Sequence, residues 1–174
     1  MIWTPLGFGE HKGETLPRIV LSDPDYFFWA YRKGIFRGVV AAEADKIAER
    51  ATRIKIPEKE GEKRVAVYHL HSPTGTFGGL RLMSESEAED DEEDSFAAVR
   101  NDVIDLSVPR RIKAYDKSGG KLLIRAVKLY LFGSATARLT TKRCAAFFDD
   151  NANFAFDTPR RRRDGRQRRA KEDP

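Results

Sequence analysis

The chain has 174 residues, of which 40% are hydrophobic and 34% charged, and a formal net charge of +5 at pH 7. This length allows one domain of ordinary size with polar tails. No run approaches the roughly 18 apolar residues that a transmembrane helix needs, so we predict no membrane span, and the N-terminus lacks the apolar segment of a secretory signal. Since Cys144 is the single cysteine, an internal disulfide is excluded and a cytoplasmic setting is expected.

The net charge conceals two segments of opposite sign. Residues 85–94 contain eight acidic side chains and no basic one, whereas residues 157–174 contain eight basic and four acidic side chains. The remaining residues hold 24 basic and 15 acidic side chains, so the body of the chain is itself basic. This balance favours a polyanionic partner, although a well-solvated surface would have the same composition.

A glycine-rich segment, residues 6–13, opens the chain and predicts a tight turn between short strands. Its spacing superficially matches a nucleotide-binding loop, but a dinucleotide fingerprint needs a preceding buried strand. A Walker loop ends in Gly-Lys-Ser/Thr, whereas Gly13 is followed by Glu14. We therefore expect no nucleotide here, and no cofactor elsewhere.

Three helices are predicted next. The first spans residues 15–21, and the second runs from the cap signal Asp23-Pro24 to about residue 33. The third is amphipathic over residues 40–54, because its apolar residues follow helical spacing and its charged residues lie largely on the opposite side.

The second of these helices concentrates five aromatic residues, Tyr26, Phe27, Phe28, Trp29 and Tyr31. These rings cannot all face one way. Either the helix is buried on several sides, which is the simpler expectation, or some rings are exposed and able to stack on nucleobases. Exposed rings would also provide a docking surface for a protein partner.

Two strands, residues 64–72 and 76–83, are expected to form an antiparallel hairpin. His69 and His71 share one face of the first strand, a spacing that can hold a metal ion. A third ligand would have to come from His11, Cys144 or a carboxylate far away in the sequence. We therefore predict no metal site and expect these side chains to face solvent or to form hydrogen bonds across the hairpin.

The second half of the chain begins with an acidic run over residues 84–95, which we expect to be a mobile loop. Residues 103–106 are apolar and form either a short strand or a docking segment. Residues 121–132 fit a helix better than a strand pair, and residues 141–149 form the last helix. The tail over residues 157–174 has almost no apolar side chain, which predicts disorder.

These elements together predict an α+β fold. We expect a single domain over residues 1–156, with a small antiparallel sheet and three to four helices. No paired carboxylates, Gly-x-Ser-x-Gly elbow or His-Glu-x-x-His motif accompanies these elements, and Cys144 has the apolar neighbours of a small buried residue. We therefore predict that the protein is not an enzyme.

The candidate nucleic-acid-binding residues are basic. Lys12 lies in the glycine-rich segment, where open backbone amides could also meet an anion. Lys121, Arg125 and Lys128 fall on one face of the predicted helix 121–132 and could follow a phosphate backbone. The tail has a run typical of arginine-rich nucleic-acid arms. Its candidate residues are Arg160, Arg161, Arg162, Arg163, Arg166, Arg168 and Arg169.

One pattern near the N-terminus is specific in order and spacing: Phe8-Gly9-x-x-Lys12-Gly13, then Asp23-Pro24-Asp25-Tyr26-x-x-Trp29. It resembles the small C-terminal module of exodeoxyribonuclease X-like proteins and of related bacterial and phage proteins, over residues 6–33. The resemblance implies a context in DNA metabolism and a non-catalytic role, because the metal-binding motifs of that nuclease belong to a separate domain. The family often has lysine where this chain has Glu10, which leaves Lys12 as the main phosphate-binding candidate of the segment.

We therefore predict a non-catalytic nucleic-acid-binding accessory protein of bacterial or phage DNA metabolism. Binding would occur mainly through phosphate contacts, with DNA favoured over RNA and no membrane partner. The alternative is a protein-interaction adaptor that docks through its aromatic helix.

Overall fold

The structure, a computed structural model, describes residues 2–58, 61–71, 74–90, 96–112 and 116–156. The predicted tail lies outside these residues. The described residues form seven α-helices: α1 (Leu16–Ser22), α2 (Pro24–Arg32), α3 (Val39–Ala51), α4 (Glu85–Asp90), α5 (Val108–Arg111), α6 (Lys117–Phe132) and α7 (Thr141–Asp149). They also form five β-strands: β1 (Ile54–Lys55), β2 (Arg64–His71), β3 (Thr76–Ser84), β4 (Phe96–Asn101) and β5 (Val103–Ile104).

The α+β class with small antiparallel sheets is confirmed. Strand β2 lies at the centre of a three-stranded antiparallel sheet in the order β3-β2-β4, and β1 pairs with β5 in a separate two-stranded sheet. Tyr68 of β2 lies opposite Leu80 of β3 and Val99 of β4. None of the described helices is both long and apolar enough to cross a lipid bilayer.

Both faces of β2 are covered, which follows from the alternation of its side chains. Ala66 and Tyr68 belong to the main hydrophobic core. Val65 and Val67 point to the other face and form a small second cluster with Ala88 of α4. The predicted hairpin of β2 and β3 is confirmed, and β4 adds a third strand after the acidic run.

The acidic run was expected to be a mobile loop over residues 84–95, and the structure corrects this for its first half. Residues 85–90 form α4, and residues 91–95 lie outside the described residues. Ser84 and Glu87 form a capping box, in which each residue's side chain accepts a hydrogen bond from the other's backbone N–H, at 3.1 and 2.8 Å. This helix and the short α5 bring the number of described helices above the three to four that were expected.

Helix α6 confirms the helical interpretation of residues 121–132. Leu123 and Val127 are buried in the main core, and the hydroxyl of Tyr130 accepts a hydrogen bond from the backbone N–H of Leu82 in β3, at 3.4 Å. The helix ends where Gly133 adopts φ = 78°, a conformation that glycine adopts without strain. At its other end, Asp116, Gly120 and Lys121 share one cleft with residues of α2 and with Arg110 of α5.

Helix α3 is shorter than predicted because its expected last residue belongs to a strand. Ile54 pairs with Ile104 in the two-stranded sheet and forms a further bridge with Phe154. Two charged residues of α3 that were expected on the exposed side, Glu43 and Arg50, are buried. A local pattern cannot reveal this, because their partners come from the two ends of the chain.

Arg50 connects α3 to the C-terminal segment. Its guanidinium group donates hydrogen bonds to the backbone carbonyl of Phe148 and to Oδ1 of Asn151, and it stacks over the ring of Phe154 at 5.1 Å. At the other end, the carboxylate of Glu43 accepts hydrogen bonds from the backbone and the hydroxyl of Thr4. Both termini of the folded body are therefore held by charged side chains of one helix.

Tyr68 connects the central strand to the segment that leads to α5. Its buried hydroxyl donates to the carbonyl of Asp105 at 3.0 Å and accepts from the N–H of the same residue at 2.6 Å. Burial raises the pKa of Tyr68, so the phenol remains neutral and keeps its donor. This pair of hydrogen bonds places α5, and with it Arg110, relative to the sheet.

We predict that Arg50→Met lowers the free energy of unfolding by about 2–4 kcal/mol, because the Phe148 carbonyl and Asn151 lose a buried charged donor. Chemical denaturation followed by circular dichroism measures this change. Arg53→Met is the matched control. Arg53 is 40% exposed and pairs with Glu49 at 4.0 Å, so its loss should change stability by less than about 1 kcal/mol. Equal effects of the two substitutions would contradict the anchoring role of Arg50.

Candidate functional site

A cleft of about 1060 Å³ lies between the glycine-rich segment, α2, α5 and the start of α6. Its apolar lining residues are Phe8, Tyr26, Pro24, Trp29, Ile35 and Ile124. Its charged lining residues are Glu10, Asp23, Asp25, Arg110, Asp116 and Lys121. The cleft thus combines residues from four elements that are up to 116 positions apart in the sequence.

The glycine-rich segment forms a tight turn, as predicted. The backbone N–H groups of Leu6 and Gly13 donate to the carbonyls of Glu14 and Leu6, both at 2.8 Å, and close the segment on itself. Gly9 adopts φ = 75°, and a Cβ atom at this position would lie 2.9 Å from the hydroxyl oxygen of Tyr26. The turn therefore packs directly against α2.

The backbone amides of residues 12–14 are not open to an anion, which corrects the expectation for this part of the glycine-rich segment. The N–H of Lys12 donates to the carbonyl of Gly9 at 3.2 Å, and those of Gly13 and Glu14 also donate within the turn. The Lys12 side chain is exposed but does not line the cleft. Any phosphate contact of Lys12 therefore depends on its ammonium group alone.

The carboxylate of Asp23 joins the turn to α2. Its Oδ1 accepts a hydrogen bond from the backbone N–H of Tyr26 at 3.0 Å, which caps the helix, and its Oδ2 lies 3.2 Å from Nε2 of His11. The His11 ring packs edge-on against Tyr26, with 4.6 Å between ring centroids. Burial raises the pKa of Tyr26, and the nearby carboxylates of Glu10 and Asp23 raise it further.

The five aromatic residues of α2 divide between core and cleft. Phe27 and Phe28 are buried, and Tyr26 and Tyr31 are half-buried. Trp29 is 37% exposed and lines the cleft, and Phe8 of the glycine-rich segment, 40% exposed, lines it too. Burial therefore holds for Phe27 and Phe28 and exposure for Trp29, and stacking on nucleobases stays a prediction.

Three of the four cleft carboxylates have partners in the protein. Asp25 forms an ion pair with Arg110 at 2.9 Å, and Asp116 caps α6 by accepting from the N–H of Gly119 at 2.8 Å. Asp23 caps α2 and contacts His11. These contacts compensate part of the negative charge that the composition of the cleft suggests.

The predicted basic face of α6 is only partly at the cleft. Lys121 lines it, whereas Arg125 and Lys128 continue along the helix, exposed and half-buried respectively. The seven candidate arginines of the tail lie outside the described residues. Arg110 is a cleft residue that the sequence analysis missed, because nothing in its local sequence distinguishes it from other surface arginines.

Among the described residues, the two strand histidines are not part of a group of metal-ligating side chains that lie close together. His69 is buried, and His71 is exposed with its Nδ1 at 3.0 Å from the hydroxyl of Thr74. In the part of the chain that the structure describes, the metal-ligating side chains that lie close together are those of Glu10, His11 and Asp23. The sequence analysis missed this group, whose members belong to the turn and to the start of α2.

Comparison of the chain with protein-family models, curated proteins and solved structures gives no match. The resemblance of residues 6–33 to the exodeoxyribonuclease X-like module therefore stays a prediction. The function has to be argued from the geometry and chemistry of the cleft.

We predict that Gly9→Ala destabilises the protein by about 1–2 kcal/mol, because alanine is strained at this positive φ and its methyl group meets the Tyr26 hydroxyl. Gly7→Ala is the matched control, since no atom lies within 4 Å of the added Cβ, and it should change stability by less than about 0.5 kcal/mol. Thermal unfolding measures both. Equal melting temperatures of the two variants would contradict the close packing of turn and helix.

Cys144 is predicted to be unreactive in the folded chain. It is buried, and burial raises the pKa of its thiol to about 11, so about one thiol in a thousand is ionised at pH 8. Alkylation by iodoacetamide at pH 8 should therefore be slow in the native chain and fast in guanidinium chloride. Similar rates in the two conditions would contradict the burial of Cys144.

Proposed function

We propose that the protein binds nucleic acid as a non-catalytic accessory protein of bacterial or phage DNA metabolism, in the cytoplasm and with DNA favoured over RNA. The cleft would receive the bases of a single strand, and the basic face of α6 would contact its phosphates. The observation that carries the proposal is the presence of two exposed aromatic side chains, Phe8 and Trp29, in one cleft with Lys121.

Exposed rings in a cleft suit single-stranded nucleic acid because every base has an apolar π face. Stacking of one base on an aromatic side chain contributes about 1–3 kcal/mol and depends little on sequence. Phe8 and Trp29 come from separate elements, the turn and α2, whose contact the Asp23 carboxylate maintains. The aromatic surface is therefore held in place before a ligand arrives.

Cations next to the rings would contact the backbone of the same strand. Lys121 lies in the cleft, and the helical rise of 1.5 Å per residue places Lys128 about 10 Å further along α6. This distance corresponds to about three nucleotides at the 3.4 Å spacing of a stacked strand. Binding would be electrostatic and would weaken with salt.

The cleft carboxylates are the strongest argument against a polyanionic ligand, and they favour the alternative of a protein adaptor. A peptide with a basic or aromatic side chain would fit beside Glu10 and Trp29. Nucleic acid remains the better proposal because Asp25 is paired with Arg110, and because the body of the chain carries an excess of basic residues.

The test is a fluorescence-anisotropy titration of labelled single-stranded DNA over a salt series, with duplex DNA and single-stranded RNA in parallel. Trp29→Ala should weaken binding of the single strand by about 5- to 150-fold, the equivalent of losing one stacked base. Lys121→Gln should reduce the slope of log affinity against log salt by about 0.7, because one phosphate contact is lost.

Phe156→Ala and Lys142→Gln are the matched controls, because they remove an exposed ring and an exposed cation outside the cleft lining. A full-length variant with glutamine at the seven tail arginines separates the tail from the cleft. Binding that depends on the tail but not on Trp29 would contradict the cleft as the site. No binding of any nucleic acid at low salt would contradict the function and favour the protein adaptor.

A further inference from the structure

We propose that Glu10, His11 and Asp23 form a binding site for a divalent transition-metal ion, with Glu14 as the residue that orients the imidazole ring. Each of the three ligand residues offers one ligand atom, and these atoms all lie within 4.8 Å of one another. One imidazole nitrogen and two carboxylate oxygens are a donor set that binds zinc and related first-row metals.

The environment of His11 supports this site. Its Nε2 lies 3.2 Å from Oδ2 of Asp23, and its Nδ1 lies 3.5 Å from Oε2 of Glu14. A neutral imidazole carries one N–H group and can donate to only one of these two carboxylates. In this neutral form the other nitrogen directs its lone pair at a carboxylate oxygen, a contact that a metal ion bound between the two atoms would make favourable.

Glu14 is placed to decide which nitrogen is left for the metal ion. Nε2 and Oδ2 of Asp23 lie within hydrogen-bond distance, and the tautomer decides which ring nitrogen carries the hydrogen. In the tautomer with the hydrogen on Nδ1, which faces Glu14 at 3.5 Å, the lone pair of Nε2 points toward Asp23. A carboxylate on the outer nitrogen of a ligating histidine is the usual arrangement in metal sites, where it fixes the tautomer and the orientation of the ring. Arg18, 3.6 Å from the other oxygen of Glu14, holds this carboxylate in turn.

The backbone positions the ligands without help from the metal ion. Glu10 and His11 are adjacent residues of the turn, which its own backbone hydrogen bonds close. Asp23 is fixed as the N-cap of α2 through its other oxygen, Oδ1, so Oδ2 remains for a ligand. The described residues supply three protein ligands, two of which, Glu10 and Asp23, line the cleft, so the remaining coordination positions would be open to water or to an anionic group there.

The experiment is a calorimetric titration of the full-length, metal-free protein with Zn²⁺, without nucleic acid, and with Mg²⁺ as the comparison ion. We expect one equivalent of Zn²⁺ to bind with an affinity well above that of Mg²⁺, since Mg²⁺ disfavours imidazole ligands. Because no nucleic acid is present, failure here leaves the proposed function standing, and failure of nucleic-acid binding leaves the metal site standing.

Variants distinguish this site from the rest of the chain. His11→Gln should lower Zn²⁺ affinity at least 100-fold, and Glu14→Gln should lower it about 10- to 100-fold, as outer-shell changes do. Asp23→Asn should also weaken binding while it preserves the helix cap, because asparagine caps as well as aspartate. His71→Ala is the matched control and should leave the affinity unchanged.

A second measurement identifies directly which histidine binds the metal ion. It uses the unaltered chain, so it does not depend on whether a variant folds. The chain has three histidines, so its imidazole Cε1–H signals can be followed individually by proton NMR. Substoichiometric Mn²⁺ should broaden the His11 signal before those of His69 and His71. No stoichiometric Zn²⁺ binding, unchanged affinity in His11→Gln, or selective broadening of His69 and His71 would each overturn the proposal.

Discussion

The carboxylate of Asp23 is the interaction on which the cleft depends. One oxygen caps α2 and the other contacts His11 of the glycine-rich turn, so a single side chain fixes the position of the turn relative to the helix. Phe8 and Trp29, which belong to the two elements that this contact joins, line the same cleft. The glycine-rich turn itself needs glycine at position 9, because the backbone there has positive φ and touches Tyr26.

Helix α3 has the corresponding role for the rest of the fold. Its two buried charged residues, Glu43 and Arg50, bind opposite ends of the folded body through Thr4 and through the segment after α7. A buried charge is tolerated only when its hydrogen bonds are satisfied, so each residue makes the fold dependent on a distant partner. The contacts of Arg50 determine where the C-terminal segment packs, and the contact of Glu43 with Thr4 holds the N-terminal segment.

The two proposals assign different roles to neighbouring parts of one cleft. The aromatic side chains and Lys121 would contact a nucleic acid, whereas Glu10, His11 and Asp23 would hold a metal ion at the side formed by the turn. A bound cation would neutralise two of the carboxylates that otherwise oppose a phosphate ligand. The acidic lining of the cleft is therefore compatible with a polyanion when a metal ion is present.

The sequence by itself determined the elements whose signals are local. The cap at Asp23, the helix over residues 121–132 and the β2–β3 hairpin were all predicted, because capping, helical spacing and side-chain alternation depend on residues a few positions apart. The exposure of Trp29 was left open, since five rings on one helix do not indicate which of them has a packing partner.

Only the tertiary structure decided which distant residues meet. The burial of Arg50, the strand conformation of Ile54 and the convergence of Phe8, Arg110 and Lys121 in one cleft all depend on contacts across much of the chain. Local propensity carries no information about such contacts, because they arise from the packing of elements that are already formed. Most of the helices and the β2–β3 hairpin were therefore readable from the sequence, whereas α4, β4 and the site that the elements build were not.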